Sequence, residues 1–311
     1  IPRGDGDAGV LAPVHGSTLG MALSVAGNSR YGRIDARAAA EAAVYESVRK
    51  TVAVGARPIG LTDCLNFGNP RKKEHYSELV AAIDGLATAA REFSTPFVSG
   101  NVSLYNESAG GKAVPASPIV SCVGAISDIS NVVTMPLKQA GSVLYLIGHP
   151  HGALGGSVVL DVLGRHDPVL PPIDYESAKA QHEFLWQAAQ ARLLLSAHAI
   201  ANGGLIVALC EMAFARIRRD YAPVGMQIDD SWQWTHGALG DLEALFNEAG
   251  GFAVEVAAKD IDAFEGLADN VEGVYEIGVT IDKPVIAIDD DAFDLRRLYD
   301  IWQKPLEEIY P

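Results

Sequence analysis

The chain has 311 residues, of which 49% are hydrophobic and 7% aromatic, so it can bury a sizeable core and its length favours two domains. A net charge of −15 argues against nucleic acid or an anionic membrane as the main partner. The sequence contains no apolar run of the roughly 20 residues that a membrane span needs and no recognisable leader, so we expect a soluble, cytoplasmic protein.

The ends and the cysteines of the chain add two expectations. The sequence opens at Ile1 without a methionine, and we expect either a missing start or a piece of something larger. The three cysteines, Cys64, Cys122 and Cys210, are odd in number and widely spaced. We therefore expect three buried apolar residues and neither a disulfide framework nor a cysteine zinc site.

The first predicted element is a helix from Ala36 to Val54. Its apolar residues recur at every fourth position, Asp35 is placed to cap its start and Gly55 to stop its end. A short apolar run at 58–62 predicts a strand. The following stretch, 63–70, is rich in turn-forming residues and predicts a loop.

The same order of elements then repeats. Helical spacing of apolar residues over 79–90 predicts a second helix, and the run at 96–98 predicts a strand that leads into a second polar loop, 99–106. A longer strand is predicted at 118–126. This alternation of helices and strands predicts an α/β first domain.

A second domain is predicted to follow a proline- and glycine-marked boundary near 135–141. It begins with a buried strand at 143–147, which precedes a glycine-rich turn at 152–157. Helices are predicted at 176–196 and 205–217, with short strands and helices alternating afterwards. We interpret this domain as α+β.

The two polar loops are the strongest candidate sites in the sequence. Each combines glycine, asparagine and an acid or a hydroxyl, and each follows a predicted strand, where ligands bind in open α/β sheets. Glycine lets the backbone approach a phosphate, and carboxylate and amide oxygens are ligands that Mg²⁺ prefers. The same residue types also form ordinary tight turns, so both interpretations stay open.

Two further clusters have competing interpretations. Asp5 and Asp7 could place carboxylates near a metal, or they could lie in a solvated N-terminal turn. Gly203-Gly204, preceded by His198 and Asn202, could bind an anion at a helix N-terminus. A packed turn with a fully hydrogen-bonded histidine explains the same pattern.

Several common catalytic motifs are absent. The glycine-rich stretches at 110–112 and 152–157 do not fit a mononucleotide P-loop. No His-Glu-x-x-His and no Gly-x-Ser-x-Gly occurs, which leaves metallohydrolase and α/β-hydrolase chemistry without support.

Three runs of sequence carry a family resemblance. They read Thr-Val-Ala-Val-Gly-Ala-Arg-Pro at 51–58, Leu-Thr-Asp-Cys-Leu-Asn-Phe-Gly-Asn-Pro at 61–70, and Val-Ser-Gly-Asn-Val-Ser-Leu-Tyr-Asn-Glu at 98–107. Together they resemble the signature of the second half of phosphoribosylformylglycinamidine synthase, and looser similarity extends over nearly the whole chain.

The resemblance implies a fold. Members of this aminoimidazole ribonucleotide synthetase-like superfamily share an N-terminal α/β domain, which forms a β-barrel on pairing with a second copy, and a C-terminal α+β domain. For this chain the implied domains are 1–137 and 138–311. The full synthase resembles two such units with the active cleft between them, and this chain is similar to the second.

The resemblance also implies a chemistry. ATP activates the formamide oxygen of formylglycinamide ribonucleotide, and ammonia from a glutaminase subunit or domain then replaces it. By position in the motifs, Asp63 and Gly100 would touch ATP, Asn101 would ligate Mg²⁺, and Ser103 would bind the substrate.

The family's catalytic histidine lies in a Ser-His-Asn-His run of the first half, and this chain has no such run. We therefore expect no catalytic residue here, an inactive chain in isolation, and a homodimer that replaces the missing half.

Residues 198–205 also depart from the family's His-Asp-x-Ser-Asp-Gly-Gly-Leu. Two alternatives stay open: a non-catalytic half that completes a partner's barrel, and another ATP-using member of the superfamily.

Overall fold

The computed structural model describes the whole chain except Arg3, Pro150, residues 230–239 and residues 310–311. The described strands form two sheets. The first sheet consists of β1 Gly9–Leu11, β2 Gly20–Ala26, β3 Arg57–Asn66, β4 Phe97–Ser103 and β5 Ser117–Ile126. The second consists of β6 Val143–Ile147, β7 Leu194–Ala199, β8 Gly225–Ile228, β9 Phe252–Val256, β10 Val274–Ile281, β11 Val285–Ile288 and β12 Asp291–Asp294.

The helices of the described residues are grouped around these sheets. They are α1 Ser29–Gly32, α2 Ala36–Ala53, α3 Lys73–Glu92, α4 Val158–Val162, α5 Tyr175–Gln190, α6 Gly204–Ile217, α7 Asp241–Phe246, α8 Ile261–Ala268 and α9 Leu295–Ile309, with 3₁₀ turns at Ile129–Asn131 and Ala258–Asp260. Among the described residues, no helix is both long and apolar enough to cross a bilayer.

The first sheet has the order β1-β2-β5-β3-β4, and α3 connects its one parallel pair, β3 and β4. Helices α2 and α3 cover one face, which buries a core that includes Leu61, Val120 and Cys122. The α2 prediction is confirmed: the Asp35 carboxylate accepts from the Ala38 N–H at 2.9 Å, and Gly55 adopts a φ of +82° just beyond its end. These elements make the first domain α/β.

Among the residues that the structure describes, no helix covers the opposite face of the first sheet. Met21, Leu23 and Val25 alternate along β2 with buried neighbours, and Ile119 lies on the same face of β5. Their exposed fractions range from 37% to 54%. The sheet therefore presents apolar side chains to the outside on one face.

The second sheet has the order β12-β11-β8-β10-β6-β9-β7 and is antiparallel except between β8 and β11. Helix α6 packs on one face, around Leu209 and Met212, and α5 packs on the other, around Phe184 and Leu185. This arrangement confirms the α+β expectation for the second half.

One predicted helix is too long. The helix predicted at 176–196 ends at Gln190, and Arg192 adopts a left-handed φ of 59° before the chain enters β7. The apolar run that starts at Leu193 continues the helical pattern in sequence, but Ser196 and the residues after it pair with β9 instead. The helix predicted at 205–217 is confirmed as α6.

Candidate functional site

The first part of each polar stretch that was predicted as a loop is strand, and only residues 67–70 and 104–106 lie outside the strands. Strand β3 continues through Asn66 and β4 through Ser103, so the predicted ends of these strands were wrong. Because β3 and β4 are parallel neighbours, Asp63 pairs with Gly100. All four residues implied by the family resemblance therefore lie on one pair of strands, and β4 is an edge of the sheet.

The two faces of this strand pair carry different groups. Asp63 pairs with Gly100 on one side and with Val120 on the other, so all three lie on the helix-covered face. Asn101 and Ser103 lie on the opposite face, which also carries Ile119. Successive residues of a strand point to opposite faces, so the four residues cannot line one flat pocket. A ligand that contacts all of them must wrap around the β4 edge.

Asp63 and Gly100 are in close contact. A Cβ atom on residue 100 would lie 2.7 Å from both carboxylate oxygens of Asp63, which is closer than real Cβ atoms come to other atoms. Partial burial raises the pKa of Asp63, and the backbone N–H of Asn101 opposes that rise. Glycine thus leaves room for the carboxylate beside the strand edge.

Asn101 is exposed, and its amide nitrogen lies 3.5 Å from the Cys64 sulfur. The expectation of three buried cysteines is wrong for Cys64 and Cys210, which are partly exposed, and confirmed for Cys122. Burial raises the pKa of the Cys122 thiol to about 11.

Ser103 is held by a residue that sequence reasoning missed. Its hydroxyl lies 3.1 Å from the amide oxygen of Asn106, and the Asn106 amide nitrogen donates to the carbonyl oxygens of Ser103 and Phe67 at 2.8 and 3.2 Å. Asn106 thereby links the chain segments that follow β3 and β4. Its sequence signals were its place at the end of the polar stretch 99–106 and inside the matched run, and neither assigned it a role.

Glu107 makes a second link between these segments. Its carboxylate accepts from the Asn69 N–H at 3.2 Å and from the Lys72 ammonium at 2.8 Å. The hydrogen bond from Lys72, followed by that from Asn69, lowers the pKa of Glu107. The ends of β3 and β4 are consequently tied together by side chains as well as by the sheet.

Asp5 and Asp7 contact basic side chains of the second half of the chain and do not lie in a solvated turn. Asp5 is buried, and its carboxylate accepts from the guanidinium groups of Arg218 and Arg219 at 2.7 and 2.6 Å. Asp7 is half-buried as a residue, but its side chain is only 3% exposed. Asp7 lies 2.7 Å from His198 Nδ1. Nowhere in the described residues do three His, Cys, Asp or Glu side chains come close enough to hold a metal ion.

The candidate anion site at the start of α6 is occupied by the protein itself. The Glu248 carboxylate accepts from the N–H groups of Gly203 and Val158 at 2.7 and 2.8 Å. Burial raises the pKa of Glu248, while these hydrogen bonds and Arg30 oppose the rise. His198 lies between Asp7 and Glu211, so the packed-turn interpretation describes this cluster.

Comparisons with known proteins agree with this architecture. Residues 5–126 match the AIR synthase related protein, N-terminal domain, and residues 139–291 match the C-terminal domain of the same family. The chain is 41% identical over 283 residues to the phosphoribosylformylglycinamidine synthase subunit PurL of Methanothrix thermoacetophila, and 36% identical over 264 residues to that of Lacticaseibacillus paracasei. These alignments cover 86% and 84% of this chain but 35% and 34% of the relatives. The chain thus spans about a third of the length of these relatives.

Solved structures show the same fold. Thermotoga maritima PurL complexed with FGAR matches with a TM-score of 0.77 at 17% identity, over 94% of this chain and 48% of that one. The T. maritima PurL complex with ATP gives a TM-score of 0.71 at 18% identity, over 94% and 46% of the two chains. A HypE-HypF complex gives 0.65 at 17% identity, over 91% and 89%. At these identities the likeness is one of fold.

Proposed function

The chain belongs to the family of AIR synthase related proteins, and from this premise we propose that it is the C-terminal half of a phosphoribosylformylglycinamidine synthase. Two relatives that carry this name support the proposal. The chain covers only 35% and 34% of their lengths, as expected for a part of the enzyme. In this proposal the two domains are residues 1–137 and 138–311. The protein acts in the cytoplasm, in purine biosynthesis.

The proposed reaction is the ATP-dependent formation of an amidine. ATP transfers its γ-phosphoryl group to the glycinamide carbonyl oxygen of formylglycinamide ribonucleotide, which forms an iminophosphate and ADP. The formamide oxygen is not the one replaced, because formylglycinamidine ribonucleotide keeps the formyl group. Ammonia, supplied by a glutaminase subunit or domain, adds to the same carbon. The C–O bond then breaks, inorganic phosphate leaves with the original oxygen, and formylglycinamidine ribonucleotide remains.

The pairing of Asp63 with Gly100 is the observation that carries the proposal. It places the Asp63 carboxylate against a glycine of the edge strand β4, so that a nucleotide bound along this edge would meet the carboxylate and the backbone of residue 100 together. In this proposal Asp63 and Gly100 contact ATP. No residue of this chain is assigned a catalytic role, because the catalytic histidine belongs to the first half.

Asn101 fits the role of a magnesium ligand in part. Its amide oxygen is a neutral hard donor on an exposed residue, and its amide nitrogen contacts Cys64. A single such donor cannot hold Mg²⁺ alone, so the phosphates of ATP and the first half would provide the other ligands. When bound, the ion neutralises phosphate charge during transfer. Ser103, on the same face, binds the substrate in this proposal.

The uncovered face of the first sheet supports a partner of the same architecture. An exposed apolar face on an open sheet is typical of a surface that another protein covers. We propose that the first half of the synthase covers it in the complete enzyme, and that a second copy does so when the chain is alone. Sedimentation equilibrium at micromolar concentration should then show a homodimer, and a monomer would refute this.

A non-catalytic role is the second candidate. It is favoured by Glu248, which fills the helix N-terminus where a ligand's anionic group would bind, and by the Arg30 and Asn202 side chains, 2.7 Å apart, in the same cleft. In that case the chain would complete a partner's barrel without contacting ATP. The Asp63–Gly100 pair favours the catalytic assembly instead.

An ADP-release assay separates the two candidates. The chain is supplied with formylglycinamide ribonucleotide, ATP, Mg²⁺ and ammonia, alone and mixed with a separately expressed first half. We expect turnover only in the mixture, and Asp63→Ala or Asn101→Ala in this chain should abolish it. Turnover in a mixture that contains either variant would favour the structural role, and turnover by the chain alone would refute the composite site.

A further inference from the structure

We infer that Asn106 is a positioning residue that fixes the direction of the Ser103 hydroxyl, so that Ser103 accepts a hydrogen bond from a donor group of the substrate. The inference rests on the proposed function, because it takes Ser103 as substrate-binding. It adds the role of Asn106 and the chemical class of the recognised group, an N–H or an O–H.

The orientation of the Asn106 amide follows from its neighbours. One side of the amide faces the backbone carbonyl oxygens of Ser103 and Phe67, at 2.8 and 3.2 Å. Carbonyl oxygens only accept hydrogen bonds, so the group that faces them must be the NH₂ of Asn106. The amide oxygen therefore faces the Ser103 hydroxyl, at 3.1 Å.

This orientation determines what Ser103 can offer a ligand. An amide oxygen only accepts, so the hydroxyl of Ser103 must donate its single hydrogen to Asn106. Two lone pairs of the hydroxyl oxygen remain for a ligand. A donor such as the amide N–H or a ribose hydroxyl of formylglycinamide ribonucleotide is satisfied there, whereas a phosphate or a carboxylate would meet a lone pair with another lone pair.

The backbone around Asn106 is held in an unusual conformation. The preceding residue, Tyr105, has a left-handed φ of 61°, which is rare for a bulky side chain. Its N–H donates to the Gly68 carbonyl, and the N–H of Asn106 donates to the Phe67 carbonyl, each at 3.1 Å. Strained residues of this kind persist where the surroundings fix them, and they cluster at functional sites.

A double-mutant cycle in the reconstituted enzyme tests the inference. Ser103→Ala and Asn106→Ala are made singly and together, and KM and kcat are measured for both substrates in the mixture with the first half. We expect Ser103→Ala to raise the KM for formylglycinamide ribonucleotide about tenfold and Asn106→Ala about threefold, since one net hydrogen bond changes affinity by factors of this size. The KM for ATP should stay within about twofold.

The interaction between the two substitutions is the decisive quantity. If Asn106 acts through Ser103, the double variant is no worse than Ser103→Ala alone. Additive effects, or an equal rise in the KM for ATP, would overturn the inference. Asn131→Ala is the matched control, because this asparagine is also hydrogen-bonded but lies beyond the far end of β5.

A measurement on the chain alone keeps the inference separate from the proposed function. In a nitrogen-15 NMR experiment, the side-chain amide hydrogens of Asn106 should exchange with water about tenfold more slowly than those of the exposed Asn101. Equal exchange rates would overturn the assigned orientation. A wild-type mixture that shows no turnover would instead refute the proposed function, and with it the substrate contact of Ser103.

Discussion

Replacing Asp7 by Asn tests the contact that joins the N-terminal segment to the second sheet. Asp7 lies 2.7 Å from His198 Nδ1 and accepts from the Ala199 N–H at 2.9 Å. Burial alone lowers the pKa of His198, but Asp7 and Glu211 outweigh it and raise the pKa to about 10 from its usual 6.5. The imidazole is therefore charged at neutral pH and lies between two carboxylates.

The magnitude and the pH dependence follow from that shift. Because the folded-state pKa of His198 is raised, the stabilisation is fully present below pH 6.5 and is lost as the pH rises through about 10. At pH 7 it amounts to about 4 kcal/mol at most. Asn offers one acceptor to two donors and removes the negative charge of Asp7, so we expect the variant to lose about 3 kcal/mol of unfolding free energy at pH 7.

Urea unfolding followed by far-UV circular dichroism, between pH 6 and pH 10, measures this difference. Asp35→Asn is the matched control, because it makes the same chemical change at an exposed helix cap where Asn performs as well as Asp. The difference between wild type and Asp7→Asn should shrink steadily towards pH 10. A difference below about 1 kcal/mol at pH 7, or one that does not depend on pH, would refute the assigned charge state.

Three further substitutions have defined outcomes. Gly100→Ala puts a Cβ 2.7 Å from the carboxylate oxygens of Asp63, so we expect at least about tenfold less ADP release in the reconstituted mixture, with an unchanged circular dichroism spectrum. Glu255→Gln weakens the acceptor of the Lys138 N–H inside the fold, and urea unfolding should show a loss of about 2 kcal/mol. Leu23→Lys places a charge on the uncovered sheet face and should shift sedimentation equilibrium from dimer to monomer; an unchanged dimer would place the interface elsewhere.

The elements that could be predicted from the sequence are those whose start and end are marked locally. Helix α2 has a capping aspartate, a regular apolar spacing and a terminating glycine within twenty residues of each other, and all three act as predicted. The end of α5 has no such marker. Apolar residues continue past it, and the pairing of β7 with the distant β9 decides where the helix stops. Local spacing cannot report a partner that lies about 60 residues further along the chain.

The candidate site shows the same division between local and distant information. Its residues were identified from motif runs, but their arrangement depends on the parallel register of β3 and β4, which α3 and the core beneath it establish. That register sets Gly100 beside Asp63, while the alternation of side chains along β4 puts Asn101 and Ser103 on one face and Gly100 on the other. The surroundings of Asp5 were not predicted for a related reason, since its partner Arg218 lies 213 residues further along the chain and Arg219 follows it.

The uncovered face and the divided site point to one requirement. Asn101 and Ser103 lie on the face of the sheet that carries the exposed apolar residues. Asp63 and Gly100 lie on the opposite face of the same strand pair. A partner that covers the apolar face would therefore also enclose Asn101 and Ser103, because both sets of side chains share one surface. Under the proposed function, docking of the first half and completion of the metal and substrate site are then a single event.

Leu23→Lys, which touches none of the site residues, should for that reason reduce turnover in the mixture in proportion to the loss of docking, and excess first half should restore it. If turnover stayed low with docking saturated, the apolar face would have a role beyond assembly.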